Sequence, residues 1–175
     1  MKTQEEFEAL RARRLQPRME QAPHGDRFTS LMAVASLSDV SQGDAAVPEE
    51  LRLPGSRCVV GTLDVVVARA LESEFLIGDV KHAAYVANMC TADVARRRGV
   101  AAALVSTARS AARDAGVDAL YVHVMAVNEA GRAFYSSCGF EVEKEETSNQ
   151  AHYRGHCLDG VEGAGRTVLL RDTQL

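Results

Sequence analysis

Tyr85-Val86-Ala87-Asn88-Met89-Cys90-Thr91-Ala92-Asp93-Val94-Ala95-Arg96-Arg97-Arg98-Gly99-Val100-Ala101 reads as a strand, a short connection and the opening of a helix. Residues 83–91 predict a buried strand. Residues 97–115 then predict a helix in which Leu104, Val105, Ala108 and Ala112 share an inward face and Gly116 supplies the stop. The first turn of a helix leaves backbone N–H groups unpaired and carries partial positive charge, so it attracts phosphate. Gly99 lets an anion approach the backbone, and Ala101 keeps the mouth open. Arg96, Arg97 and Arg98 add charge-assisted bonds. The spacing suits a pyrophosphate. Taken alone, the same residues also read as a basic loop leading into an ordinary amphipathic helix.

Working outward, residues 120–127 are almost wholly apolar, as in a strand covered on both faces. Asn128 can cap a helix over 129–138, which Gly139 ends. Strands are predicted at 140–146 and 167–171, with a polar, substrate-side loop at 147–166 that carries His152, Tyr153, Arg154 and His156. On the other side, 57–70 predicts a strong strand and 28–37 another. The 39–56 connection is rich in Gly, Pro, Ser and acids and reads as a long, flexible hairpin loop, while 71–81 reads as irregular. Thr3-Gln4-Glu5-Glu6 fits a capping box, with Phe7, Leu10 and Leu15 on one helical face and Pro17 closing the element. There is no internal repeat. The expectation is one mixed α/β domain spanning 1–175.

Composition narrows the function. A formal net charge of −4 argues against a chain held on nucleic acid by bulk charge. No apolar run approaches the ~20 residues of a membrane span. The acidic start, Met1-Lys2-Thr3-Gln4-Glu5-Glu6, resembles neither a signal nor a transit peptide. Cys58, Cys90, Cys138 and Cys157 show no CxxC spacing and read as reduced thiols. His152-x-x-x-His156-Cys157 has no fourth partner at sensible spacing, so no metal is expected.

The arginine loop is followed, about thirty residues on, by Asn128-x-x-Gly131-x-x-Phe134-Tyr135-x-x-x-Gly139-Phe140. Together the two stretches resemble the GNAT superfamily of N-acetyltransferases, whose second signature usually reads Asn-x-x-Ala-x-x-Leu-Tyr-x-x-x-Gly-Phe. The resemblance implies a central, mixed but mostly antiparallel twisted sheet flanked by helices, with acetyl-CoA as cosubstrate. The family's usual first strand and helix have no counterpart here, which leaves acceptor specificity open. Val60-Gly61-Thr62-Leu63-Asp64, Tyr85 to Cys90, Ala95 to Gly99 and Tyr121-Val122-His123-Val124 resemble the plant and algal branch assigned to plastids. That branch acetylates protein N-terminal α-amines and lysine ε-amines. The resemblance therefore implies protein or peptide amine substrates and a plastid stroma location.

The roles that the resemblance implies are these. Met89, Cys90 and Thr91 bond the pantetheine arm through backbone groups, and a backbone N–H there polarises the thioester carbonyl. Arg96, Arg97, Arg98, Gly99, Val100, Ala101 and Ala102 hold the pyrophosphate. Asn128, Glu129 and Ala130 contact the coenzyme near the second helix, and Asn128 also reads as a plain N-cap. Tyr135 matches the proton donor to the departing thiolate; a helix tyrosine packed in the core is its bland counterpart. Some relatives carry a glutamate as general base five residues before the Asn, where this chain has His123. Others use a carboxylate on the preceding strand, where this chain offers Tyr85 and Asn88. His123 is thus the candidate base, with a water relay as the alternative. A free lysine amine (pKa ~10.4) needs ~3 kcal/mol more than a protein α-amine (pKa ~8) to deprotonate at pH 7. A histidine or water base therefore favours α-amines. A small-amine acetyltransferase and a catalytically weak acetyl-CoA-binding module are the competing readings. Glu141, Glu143, Glu145 and Glu146 read as a solvated strand edge more readily than as a cation-attracting patch.

Overall fold

The computed structural model describes residues 27–40, 47–69, 76–153 and 165–175. The helix expected from the capping box at Thr3, and most of the loop around His156, lie outside them. Among the described residues seven strands form one sheet: β1 (Arg27–Ser36), β2 (Arg52–Leu53), β3 (Arg57–Arg69), β4 (His82–Thr91), β5 (Ala119–Met125), β6 (Phe140–Glu145) and β7 (Thr167–Asp172). The order is β1-β3-β4-β5-β7-β6, with β2 also on β3. All pairs are antiparallel except β4 with β5. The expected mixed, mostly antiparallel sheet is present.

Helices α1 (Leu37–Val40), α2 (Val100–Asp114), α3 (Glu129–Ser137) and α4 (Ser148–Tyr153) complete the described elements, with single 3-10 turns at Glu49–Leu51 and Asp93–Ala95. The strand pleat sorts side chains onto two faces. On one face Leu63, Val65, Ala84, Val86, Leu120, Val122 and Val124 pack against Leu104, Val105, Ala108 and Ala112 of α2 and Tyr135 of α3. Gly61 is the close-approach point. A methyl group there would meet Val100, Leu104 and the Cys90 carbonyl at 2.9–3.0 Å. The opposite face holds Ala83, Ala119, Tyr121 and Leu169 against Leu76, Val80 and Tyr85.

Arg109 fastens α2 to the sheet. Its Nε donates to Asp172 Oδ2 at 2.6 Å, and its Nη2 donates to Asp172 Oδ1 at 3.2 Å and to the Cys138 carbonyl at 2.8 Å. The Asp172 side chain is fully buried.

Three local expectations differ from the structure. Helix α2 begins at Val100 instead of 97, because Arg97 (φ 61) and Gly99 (φ 80) are left-handed and cannot continue a helical run. The described parts of the 39–56 connection are tied down: Val40 and Val47 bury against Cys58, Val60 and Ala95, and β2 pairs with β3. Polar composition there concealed two valines that anchor it. The 147–166 stretch opens with α4, nucleated by the Thr147 hydroxyl and the Gln150 side chain capping one another.

Candidate active site

Among the described strands one pair is parallel, and it creates the site. Strands β4 and β5 are in register from Ala83↔Ala119 to Val86↔Val122, and there their pairing stops. Strand β4 continues to Thr91 on β3, through Thr62↔Cys90 and Gly61↔Thr91. Strand β5 continues to Met125 on β7. The two strands therefore diverge, and a slot opens between them. Along it, backbone groups of β4 after Val86 lack ladder partners on β5, so an extended, amide-bearing chain fits there strand-fashion.

A bulge marks the departure. Thr62↔Cys90 and Asp64↔Ala87 leave Asn88 and Met89 together opposite Leu63. Asn88 is left-handed (φ 51), a conformation that Asn tolerates better than most residues. Met89 and Thr91 are half-buried, whereas Cys90 is exposed.

Because β4 and β5 run parallel, the helices that follow them start at the same end of the slot. Both signatures of the sequence are thereby brought together. At α2, the first intrahelical bond runs from Ala103 N to the Gly99 carbonyl at 3.0 Å. The N–H groups of Val100, Ala101 and Ala102 lie ahead of that ladder. Among the described residues no side chain caps them, and a methyl group on Gly99 would meet nothing within 4 Å. The three arginines are unequal. Arg96 pairs with Asp93 at 2.7 Å, both well exposed, and Arg98 donates to the Asp39 carbonyl. Arg97 is exposed and makes no ion pair among the described residues. Among the described residues the first-turn amides are free, the glycine is open and the Arg97 guanidinium is unengaged, a donor set that fits a pyrophosphate.

At α3, Asn128 Oδ1 accepts from Gly131 N at 2.9 Å, so the N-cap role is met. Asn128, Glu129 and Ala130 are exposed. Gly131, where the signature usually has Ala, suits this tight cap: a methyl group there would lie 2.7–3.1 Å from the Asn128 side chain.

Tyr135 is 5 % exposed, and its ring meets Phe134 and Phe140 edge-on. Its hydroxyl donates to Met89 Sδ at 3.5 Å, across the slot end of β4. Burial, helped by the Cys138 thiol, pushes its pKa up to about 12. The hydroxyl is a resident proton at neutral pH.

His123 alternates onto the other face of β5, where it is exposed. Its ring lies nearly parallel to Tyr85, with centroids 6.4 Å apart, and Tyr85 stacks in turn on Tyr121 at 5.7 Å. Tyr135 and His123 thus address the slot from opposite faces of the sheet.

The same face as His123 holds a carboxylate that sequence reasoning missed. Asp64 is buried, and its oxygens accept from Ser30 Oγ and Asn88 Nδ2, each at 2.7 Å. Its signal in sequence is a single acid within the strand, Thr62-Leu63-Asp64-Val65-Val66, at the end of a stretch that carries the family resemblance.

The glutamates of β6 and its flank are mostly structural. The Glu143 side chain is 2 % exposed; it accepts from Ile77 N, and Arg171 binds the Ile77 carbonyl at 2.9 Å beside it. Glu146 Oε2 accepts from Thr167 N and Oγ1 at 2.8 and 2.9 Å, and Glu145 pairs with Arg132 at 3.3 Å. Only Glu141 and Glu145 are exposed, so a wholly solvated edge does not describe them.

Residues 33–140 match the model of the acetyltransferase (GNAT) family. The chain is 37% identical over 103 residues to GCN5-related N-acetyltransferase 7, chloroplastic, of Arabidopsis thaliana, a match covering 55% of this chain and 38% of that protein. It is 34% identical over 100 residues to the Arabidopsis GCN5-related N-acetyltransferase 6, chloroplastic, covering 49% and 35%. The matched segment thus spans little more than a third of either relative. Among solved structures, Naa20 of Chaetomium thermophilum in complex with a bisubstrate analogue shares the fold, with a TM-score of 0.55 and 19% identity over 70% of this chain and 63% of that one. With most of its length matched to that family model and the slot between β4 and β5 in place, the chain belongs to the acetyltransferase (GNAT) family.

Proposed function

We propose that this chain, as a single domain, transfers an acetyl group from acetyl-CoA to amines of proteins or peptides, and that N-terminal α-amines react faster than lysine ε-amines. The observation that carries this reading is the slot where β4 leaves β5, open to Tyr135 on one face and to His123 on the other. Bound acetyl-CoA supplies an acyl thioester, already activated toward an amine. First-turn amides of α2 and Arg97 hold its pyrophosphate end, with Arg96 and Arg98 beside them, and Asn128 to Ala130 line the neighbouring helix start. The backbone of Met89, Cys90 and Thr91 aligns the arm and polarises the carbonyl.

The amine enters from the His123 face, so that attack is direct, with both substrates bound. His123 takes the amine proton, and Tyr135 protonates the departing sulfur. With a tyrosine pKa of about 12, delivery to a thiolate of pKa ~8.5 in water is uphill by about 5 kcal/mol. The thiolate leaves beside the same apolar wall, which raises its own pKa and narrows that gap. Burial therefore keeps Tyr135 protonated without disqualifying it as the donor.

The chloroplastic relatives support a plastid location. Mass spectrometry of host proteins after bacterial expression is the direct test. New acetyl groups should appear on N-termini ahead of lysines. Matched peptides that present a single amine type should show the α-amine reacting faster, and equal rates overturn the preference. Coenzyme binding without turnover selects the weak-binding alternative.

A further inference from the structure

Asp64 stands in the middle of β3 and is 5 % exposed. A buried carboxylate is retained only where hydrogen bonds replace its lost hydration. Ser30 on β1 and Asn88 on β4 supply two, each at 2.7 Å, so the carboxylate bridges three strands. Asn88 is the left-handed residue of the β4 bulge. The bulge lies just past Val86, the last residue of β4 paired with β5, and it includes Met89, whose sulfur meets the Tyr135 hydroxyl. The backbone angle at Asn88 therefore sets where residues 89–91 point. A charge-assisted hydrogen bond on its side chain is a direct means of holding that angle.

We propose that Asp64 is a positioning residue for acetyl transfer: through Asn88 it clamps the β4 bulge in the left-handed form that aims the backbone of Met89, Cys90 and Thr91 into the slot. The inference rests on the acetyltransferase reading above. It assigns Asp64 no proton transfer, since the carboxylate is buried and both of its oxygens are engaged by Ser30 and Asn88.

The test uses the 175-residue chain and four variants: Asp64→Ala, Asn88→Asp, Asn88→Gly, and the exchange Asp64→Asn with Asn88→Asp. Coenzyme A affinity is read by calorimetry, kcat and KM at pH 7.5, and Tm by calorimetric unfolding. Asp64→Ala and Asn88→Asp should each lower kcat by about 10- to 100-fold, the cost of misplacing a reacting group. KM for acetyl-CoA should change less than about threefold, because an interaction made in the transition state is what weakens. Asn88→Asp sets two carboxylates face to face, so its kcat relative to wild type at the same pH should recover as falling pH lets them share a proton. The exchange restores a carboxylate–amide bond of reversed polarity and should return kcat to within about threefold of wild type. Asn88→Gly should keep most of kcat, because glycine adopts positive φ unaided.

An exchange as impaired as Asn88→Asp, with wild-type Tm, overturns the clamp and leaves the Asp64 carboxylate itself in the chemistry. Loss of Tm with unchanged kcat per folded molecule overturns it too. A wild-type protein that neither binds coenzyme A nor turns over overturns the acetyltransferase reading instead, and the two failures are distinguishable.

Discussion

The two faces of the sheet at the β4/β5 slot are built differently. On the face carrying α2 and α3, the parts come from two short, contiguous stretches, Arg96 to Ala102 and Asn128 to Tyr135. On the opposite face, Asp64, Tyr85, Asn88, Tyr121 and His123 are contributed singly or in pairs by three strands. A helix N-terminus binds anions wherever it forms, because its first amides are always free. A strand-face site exists only once register and pleat have placed side chains from distant segments side by side. The first kind of site is written locally, and the second is written in the topology.

The largest expected effect tests how firmly the helical face is held. Asp172→Ala strands the Arg109 guanidinium, 13 % exposed at its side chain. Removing one partner of a buried pair costs about 3–5 kcal/mol. Denaturant unfolding should show that loss, and a change within the error of extrapolation would mean that α2 is held by apolar packing alone.

Tyr135→Phe comes next. Loss of a general acid typically costs about 100-fold or more in kcat, with coenzyme affinity little changed; an unaltered kcat removes Tyr135 from the mechanism. The same variant has a pH signature. In the folded protein the Tyr135 pKa is raised to about 12 from 10.0. Below pH 10 the hydroxyl is protonated in both states and contributes no pH dependence. Between about 10 and 12 the unfolded chain loses the proton first, so wild-type stability falls across that window. Unfolding at pH 9 and pH 11 should show the wild type losing more than Tyr135→Phe.

The smallest of these effects concerns the arginine loop. Arg97 is the arginine of the three with no partner among the described residues, so Arg97→Ala should raise the coenzyme A Kd by about tenfold, the loss of one charge-assisted contact. The effect should shrink as salt is added. Arg96→Ala should matter less, because Asp93 already engages that side chain. Equal effects would show that the loop acts as a diffuse basic patch.

The helical face was legible in the sequence because glycine, arginine and a capping Asn mark helix starts through local backbone chemistry. Even there, the left-handed Arg97 delayed α2 by three residues, and Asp93 took one of the three arginines. On the strand face His123 was legible as a position, but Asp64 was not. Its partners Ser30 and Asn88 are 34 and 24 residues away in the chain. The glutamates misled for a related reason: a charge on a strand reads as solvated until the loop it fastens, here at Ile77, is known.

The sequence by itself determined the family resemblance, the strand–helix alternation and the two helix N-termini, because these rest on periodicity and on backbone groups that every helix start exposes. Tertiary structure decided that β4 and β5 part after Val86 and Val122, that Tyr135 and His123 stand on opposite faces of the opening, and that Asp64 reaches Asn88 across the sheet. Those facts follow from pairing register, and register depends on which strands become neighbours, a choice that no single stretch of the chain contains.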